Sequence, residues 1–358
     1  MLEQSNQKVV CILGMHRSGT SALTRIANLL GVYLGADNSI RIETAHDNVK
    51  GHWEHKEIAL INETIFQRFG GSWHEPPIMP DEWEKSPILD DLRNDAQQLI
   101  VEEFAGFTLW GWKDPRTCLT LKFWQQFIGN VHYILCLRNP ADVASSLKQR
   151  EEFPTAKSFH LWLTYVCSAL KYTDGKPRIT IFYEDIVRSP IEEMTRIAKF
   201  LEQPETVWKG DALATAEAFV EKGLQHHSSL PLDTTGQSCA ERSAKSIYLA
   251  QRICNSAFAK ETIDQLSNAL QALNSESEFV TSEIDASQAF ERNEIVERLW
   301  AQIEEQGTKA RDLSDQLRQK ELELERIKNT SGFRILNRFW NIKHRYLLPL
   351  IGRSRSDM

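Results

Sequence analysis

An α/β fold with a central parallel sheet is what the sequence predicts, and three observations predict it. Short apolar runs rich in β-branched residues recur at Lys8–Met15, His132–Leu137 and Ile179–Tyr183. Each is followed by apolar residues at helical spacing. The chain between the runs is long enough for crossovers, which parallel strands require.

In order along the chain, Lys8–Met15 ends in a Gly/Ser-rich turn. Leu23, Ile26, Ala27 and Leu30 then mark a helix from Thr20, with Gly31 as its stop. Residues 36–56 are polar and read as a loop, and Ile58, Ile61, Ile65 and Phe69 mark a helix ending at Gly70-Gly71. Residues 72–87 are proline-rich and predict irregular structure, with a helix following over 88–104. The run His132–Leu137 ends at Arg138-Asn139-Pro140, where Asp142 is expected to cap the next helix. Phe159, Trp162, Leu163, Val166 and Leu170 share one face of a helix over 157–173. Ile179–Tyr183 reads as a strand, 190–202 as a helix, and 205–290 as mostly helical.

The composition, 41% hydrophobic and 25% charged, fits a globular protein with a core. A net charge of −7 argues against nucleic-acid binding by bulk charge, and none is expected. The N-terminus lacks the basic and apolar regions of a secretory signal, and no run of about 18 apolar residues occurs. A cytoplasmic location is therefore expected. The cysteines, Cys11, Cys118, Cys136, Cys167, Cys239 and Cys254, lack metal-binding spacing and read as buried reduced thiols.

From Val296 to Ile327 apolar residues recur three and four apart with charged residues between them. This a/d seam suits a helix of about 48 Å. A self-pairing coiled coil, most simply a parallel homodimer, competes here with a lone solvated helix; Gln306 and Lys320 interrupt the seam. The stretch 333–355 is basic, without an acid, and interleaved with Phe333, Phe339 and Trp340. It suits a membrane surface or partner groove, and equally a helix docked on its own domain.

Gly14-Met15-His16-Arg17-Ser18-Gly19-Thr20-Ser21 lies between the first strand and the first helix. Glycines allow close backbone approach and positive φ, and amides at the helix start face an anion. Ser18, Thr20 and Ser21 add hydroxyls, and Arg17 adds a charge. The Gly14-x4-Gly19 spacing matches the start of a Walker motif, but Thr20 stands where that motif has lysine. This weakens a reading as a P-loop small-molecule kinase. A second candidate anion site follows the next strand, where Arg138 and Ser146 lie eight residues apart.

Together these segments resemble the PAPS-dependent sulfotransferases (PAPS is 3′-phosphoadenosine 5′-phosphosulfate). Trp112-Lys113-Asp114-Pro115-Arg116 resembles the K-D-P segment of several branches, and Tyr183-Glu184-Asp185 with Pro190 resembles the family's Y-E-D-L-x-x-x-P segment. The resemblance covers residues 8–200 and extends toward 275. It implies a P-loop NTPase-like three-layer α/β/α domain over 8–275. A linker (276–294), a coiled coil (295–329) and a basic amphipathic tail (330–358) would follow.

It also implies roles. Gly14, His16, Arg17, Ser18, Gly19, Thr20 and Ser21 would hold the 5′-phosphosulfate of PAPS, and Arg138 and Ser146 its 3′-phosphate. No metal would be required, and 3′,5′-adenosine bisphosphate would be the product. Arg17 and Lys113 would be the catalytic cations, with Asp114 orienting Lys113 or Arg116, or simply capping local structure. Glu54 is the favoured base for an acceptor hydroxyl, against His52, His55 and Glu43. Trp53, Trp73 and Trp112 would fall near an acceptor expected to be a glycan, with core packing the competing reading of each. A coiled-coil scaffold without catalysis is the remaining alternative, and the tail would allow peripheral contact with the inner membrane surface.

Overall fold

The computed structural model describes residues 7–40 and 52–208, and isolated residues further on (215–216, 241, 244–245, 247–248, 251–252, 319–320 and 323). The chain divides into two compact units, Met1–Gly307 and Thr308–Met358. The expected linker and tail lie outside the described residues. So does the expected coiled coil, apart from Gln319, Lys320 and Glu323, which are helical.

Four parallel strands form the sheet: β1 (Lys8–Leu13), β2 (Leu109–Lys113), β3 (Val131–Leu137) and β4 (Arg178–Phe182). Their order is β2-β1-β3-β4, so β1 lies inside, pairing Cys11 with both Trp112 and Tyr133. Both faces of β1 are buried, which explains why its sequence is a continuous apolar run rather than an alternation.

One face is covered by α1 (Thr20–Leu29) and α8 (Pro190–Phe200). Leu23, Ile26, Ala27, Met194 and Ile197 close there on Val10, Ile12, Ile134 and Ile181. The opposite face carries α4 (Thr117–Trp124) and α6 (Thr155–Tyr172). Gln125, at the end of α4, ties Tyr133 of the sheet to the Tyr172 carbonyl, with both bonds at 3.0 Å. Helices on both faces make the three layers. Elements α2 (Lys56–Arg68) and α3 (Asp90–Leu99) lie between β1 and β2 in the chain, and α5 (Pro140–Glu151) follows β3. The short α7 (Tyr183–Arg188) follows β4.

Three expectations need correction. Residues 109–124 form β2 and α4, neither foreseen, because tryptophan-rich 109–113 shows no clean period of two. Asn139, not Asp142, caps α5: its side chain accepts from the Ala141 amide at 3.0 Å. Tyr183 opens α7 rather than ending β4. Among the described residues no helix is long and apolar enough to cross a membrane.

Candidate active site

The loop joining β1 to α1 lies at the carboxyl end of the sheet, where strand order places β3 beside β1. Two glycines determine its path. At Gly14 (φ 152°) a Cβ would come within 2.6 Å of the Cys136 carbonyl. At Gly19 (φ 84°) a Cβ would drive into the Tyr183 ring. Arg17 also has positive φ (67°), an uncommon conformation for a side-chain-bearing residue that clusters at functional sites. Two cysteines brace the turn: Cys118 Sγ accepts from the Gly14 amide and Cys136 Sγ donates to the Ser18 carbonyl, each at 3.2 Å. Burial pushes the Cys118 thiol up to about 12, so it remains a thiol.

The helical ladder of α1 begins at Ala22, whose amide donates to Gly19 O at 3.0 Å. Thr20 and Ser21 precede it, at the positive end of the helix dipole. The Ser21 hydroxyl donates to the His52 carbonyl at 3.1 Å, so what Ser21 offers the loop is its amide. Ser18 Oγ and His16 Nε2 are buried with no hydrogen-bond partner. His16 stacks on Trp73, ring centroids 4.4 Å apart, with Tyr165 edge-on at 5.8 Å. Burial, aided by Arg116, holds its pKa well below the ordinary value, so the imidazole is neutral.

The two segments singled out as anion sites meet. Arg17 Nε donates to Ser146 Oγ at 3.0 Å, and an Arg138 Nη donates to the Arg17 carbonyl at 3.0 Å. Arg138 is only 5% exposed, and its guanidinium lies 4.6 Å from the Tyr183 ring centroid. Its Nε and second Nη are buried without an acceptor among the described residues. Buried polar groups are nearly always satisfied, and buried cations paired, so this donor pair fits an anion.

A second cluster surrounds Glu54. Lys113, at the end of β2 and 2% exposed, contacts Glu54 Oε1 at 2.8 Å. Arg116 approaches Glu54 Oε2 at 3.7 Å and contacts Glu63 at 3.4 Å. Asp114 accepts from Arg116 Nε at 3.1 Å and from Asn62 at 2.9 Å. Its other oxygen accepts from the Arg116 amide at 3.0 Å, so Asp114 both contacts the Arg116 guanidinium and caps the local turn, two of the three alternatives expected of it. Burial alone would raise the Glu54 carboxyl, but Lys113 and Arg116 override it and hold the pKa well below the usual range.

Residues 10–207, more than half of the chain, match the sulfotransferase family. The chain belongs to the sulfotransferase family. No curated protein matches it. Three solved structures are similar. The sulfotransferase domain of the Synechococcus PCC 7002 olefin synthase is 18% identical, with TM-score 0.39, covering 68% of this chain and 95% of its own. The sulfotransferase domain from the curacin biosynthetic pathway is 16% identical, with TM-score 0.36, covering 69% and 97%. Sulfotransferase STF9 from Mycobacterium avium is 12% identical, with TM-score 0.37, covering 70% and 77%.

Other expected residues of this sulfotransferase fall elsewhere. His55 is buried and held by Glu103 at 2.8 Å, ahead of α2. That contact uses Nε2, while Nδ1 is buried without a partner among the described residues. Glu43 lies outside the described residues. Trp112 is core, stacked on Trp110 and tilted against Trp124, and Trp53 packs under Arg25 of α1 at 5.1 Å. Of the three expected tryptophans, Trp73 lies beside the loop. His74 and Phe153 flank it at 5.3 and 5.8 Å, an aromatic group that only the tertiary fold assembles.

Proposed function

We propose that the chain transfers the sulfuryl group of PAPS to a hydroxyl of a carbohydrate or glycoconjugate by in-line displacement. The observation that carries this reading is the buried Arg138 guanidinium with two N–H groups lacking an acceptor. A donor with two separate anionic groups matches a chain with two cationic ones. Arg17, Ser18 and the amides of Gly19, Thr20 and Ser21 would hold the 5′-phosphosulfate, and Arg138 with Ser146 the 3′-phosphate. When bound, PAPS would supply an activated sulfuryl group and leave as 3′,5′-adenosine bisphosphate.

The protein's part is positioning and charge. Arg17 lends its guanidinium to the growing negative charge, and Lys113 lends a second cation. Glu54 takes the proton of the acceptor hydroxyl at Oε1, the oxygen that Lys113 holds at 2.8 Å. Arg116 stays beside Glu54 Oε2 while Lys113 shifts its attention to the transferring group. The half-buried aromatic group Trp73, His74 and Phe153 supports a carbohydrate acceptor, whose C–H faces stack on such rings. Outside this domain, segment 295–329 would pair chains and segment 330–358 would lie on the inner membrane surface. Liposome flotation of the full chain against one ending near Thr330 tests the tail.

Calorimetric titration with 3′,5′-adenosine bisphosphate, with ATP–Mg²⁺ in parallel, tests the donor. The bisphosphate should bind, and Arg17→Ala and Arg138→Ala should weaken it. Binding of ATP–Mg²⁺ in its place would overturn the reading. Transfer of labelled sulfate from PAPS to a panel of oligosaccharides and peptides tests the acceptor, with Trp73→Ala raising KM for sugars.

A further inference from the structure

The family match ends at residue 207, yet described helical residues beyond it reach back to the second anion site. Tyr248 is 1% exposed, and its hydroxyl donates to Glu184 Oε2 at 2.6 Å. The other oxygen, Oε1, accepts from the backbone amide of Asn139 at 2.8 Å. Asn139 directly follows Arg138 and caps α5 through its own side chain. One turn further along the same stretch, Arg252 contacts both Asp185 oxygens, at 2.7 and 3.2 Å, and stacks 4.9 Å from Phe182. Ala244 and Ile247 are likewise fully buried.

Each residue of the Tyr183-Glu184-Asp185 segment thus has one task. Tyr183 lies against Gly19 and under Arg138, and so touches both anion segments. Glu184 holds the turn carrying Arg138. Asp185 anchors the stretch carrying Tyr248. Among the described residues Arg138 makes one side-chain hydrogen bond, to Arg17 O, and rests on the Tyr183 ring, so its aim also depends on the backbone that bears it.

We propose that Tyr248 is a positioning residue for the second anion site. Acting through Glu184 and the Asn139 amide, it fixes the turn that aims Arg138 and so sets preference for a ligand with a 3′-phosphate. The inference rests on the PAPS reading above. The relay is directional: the Tyr248 hydroxyl can only donate to a carboxylate, and losing it leaves Glu184 free to rotate away from the Asn139 amide.

The test compares 3′,5′-adenosine bisphosphate with 5′-AMP, which lacks the 3′-phosphate, by calorimetry on the full chain. Tyr248→Phe keeps the buried ring and removes one charge-assisted hydrogen bond, so bisphosphate affinity should fall about fivefold. Affinity for 5′-AMP should not change. Glu184→Ala, which removes both bonds, should lower the same ratio further and serves if the first variant does not fold. Equal losses on both ligands, or an unchanged ratio, would overturn the relay alone. A wild-type protein that binds the two ligands equally would overturn the PAPS reading and the relay with it.

Discussion

The two charged clusters of this sulfotransferase treat their charges in opposite ways. Around Glu54 every charge is answered: Lys113 and Arg116 neutralise Glu54, and Arg116 and Asn62 satisfy Asp114. Around Arg138 two buried N–H groups are left without an acceptor. The first arrangement is self-sufficient, whereas among the described residues the second leaves two donors open. A binding site has to keep its donors exposed to its ligand, whereas a catalytic carboxylate can be held ionised by cations until chemistry begins.

The contrast breaks most sharply at Lys113. Lys113→Met leaves Glu54 buried with one cation at 3.7 Å, and such an orphaned charge costs roughly 3–5 kcal/mol. Denaturant titration should show this loss, and adding Glu54→Gln should restore most of it. A double variant no more stable than Lys113→Met would mean that the pair does not hold the cluster together.

Arg138→Ala should do the reverse, leaving the midpoint of unfolding close to wild type while binding collapses. Two charge-assisted bonds at about 1.5–3 kcal/mol each correspond to a bisphosphate affinity lower by about 100-fold or more. Loss of stability without loss of binding would show that Arg138 is a packing residue.

How much of this was legible follows the same division. The Gly14–Ser21 loop and the Arg138/Ser146 pair are local patterns, each spanning one strand end and the helix after it, and spacing alone exposes them. The contact of Lys113 with Glu54 spans 59 residues and depends on β2 lying beside β1, so no local pattern carries it. His55 and Trp112 looked like site residues because their types suit one. Their burial, His55 against Glu103 and Trp112 within a stack of tryptophans, is decided by tertiary packing. Cys118 and Cys136 were legible as buried thiols, but their bonds to the loop backbone were not.

A subtler difference lies in acid. Glu54 titrates lower in the folded chain than its unfolded value of about 4.3. It therefore contributes stability that is present above that pH and lost as pH falls through the folded-state pKa. Glu54→Gln should be less stable at neutral pH, with Lys113 left facing an amide, yet show a flatter acid limb below about pH 4.3. Parallel limbs for the two proteins would remove Glu54 as the titrating group.

The last effect belongs to His16, in the loop between β1 and α1. It is flanked by Trp73 and Tyr165 and within electrostatic reach of Arg116, Glu54, Lys113 and Arg150. Burial and three of those four charges oppose its protonation, so the folded chain binds fewer protons here than the unfolded chain. Its contribution is whole above the unfolded value of about 6.5 and declines as pH falls below it, by at most about 1.4 kcal/mol per pH unit. His16→Asn should flatten the stability profile just below pH 6.5 while leaving the Glu54 limb in place. Should the profile keep its slope there, His16 would be protonated in the fold, and its nearest influence would be the Glu54 carboxylate rather than the cations around it.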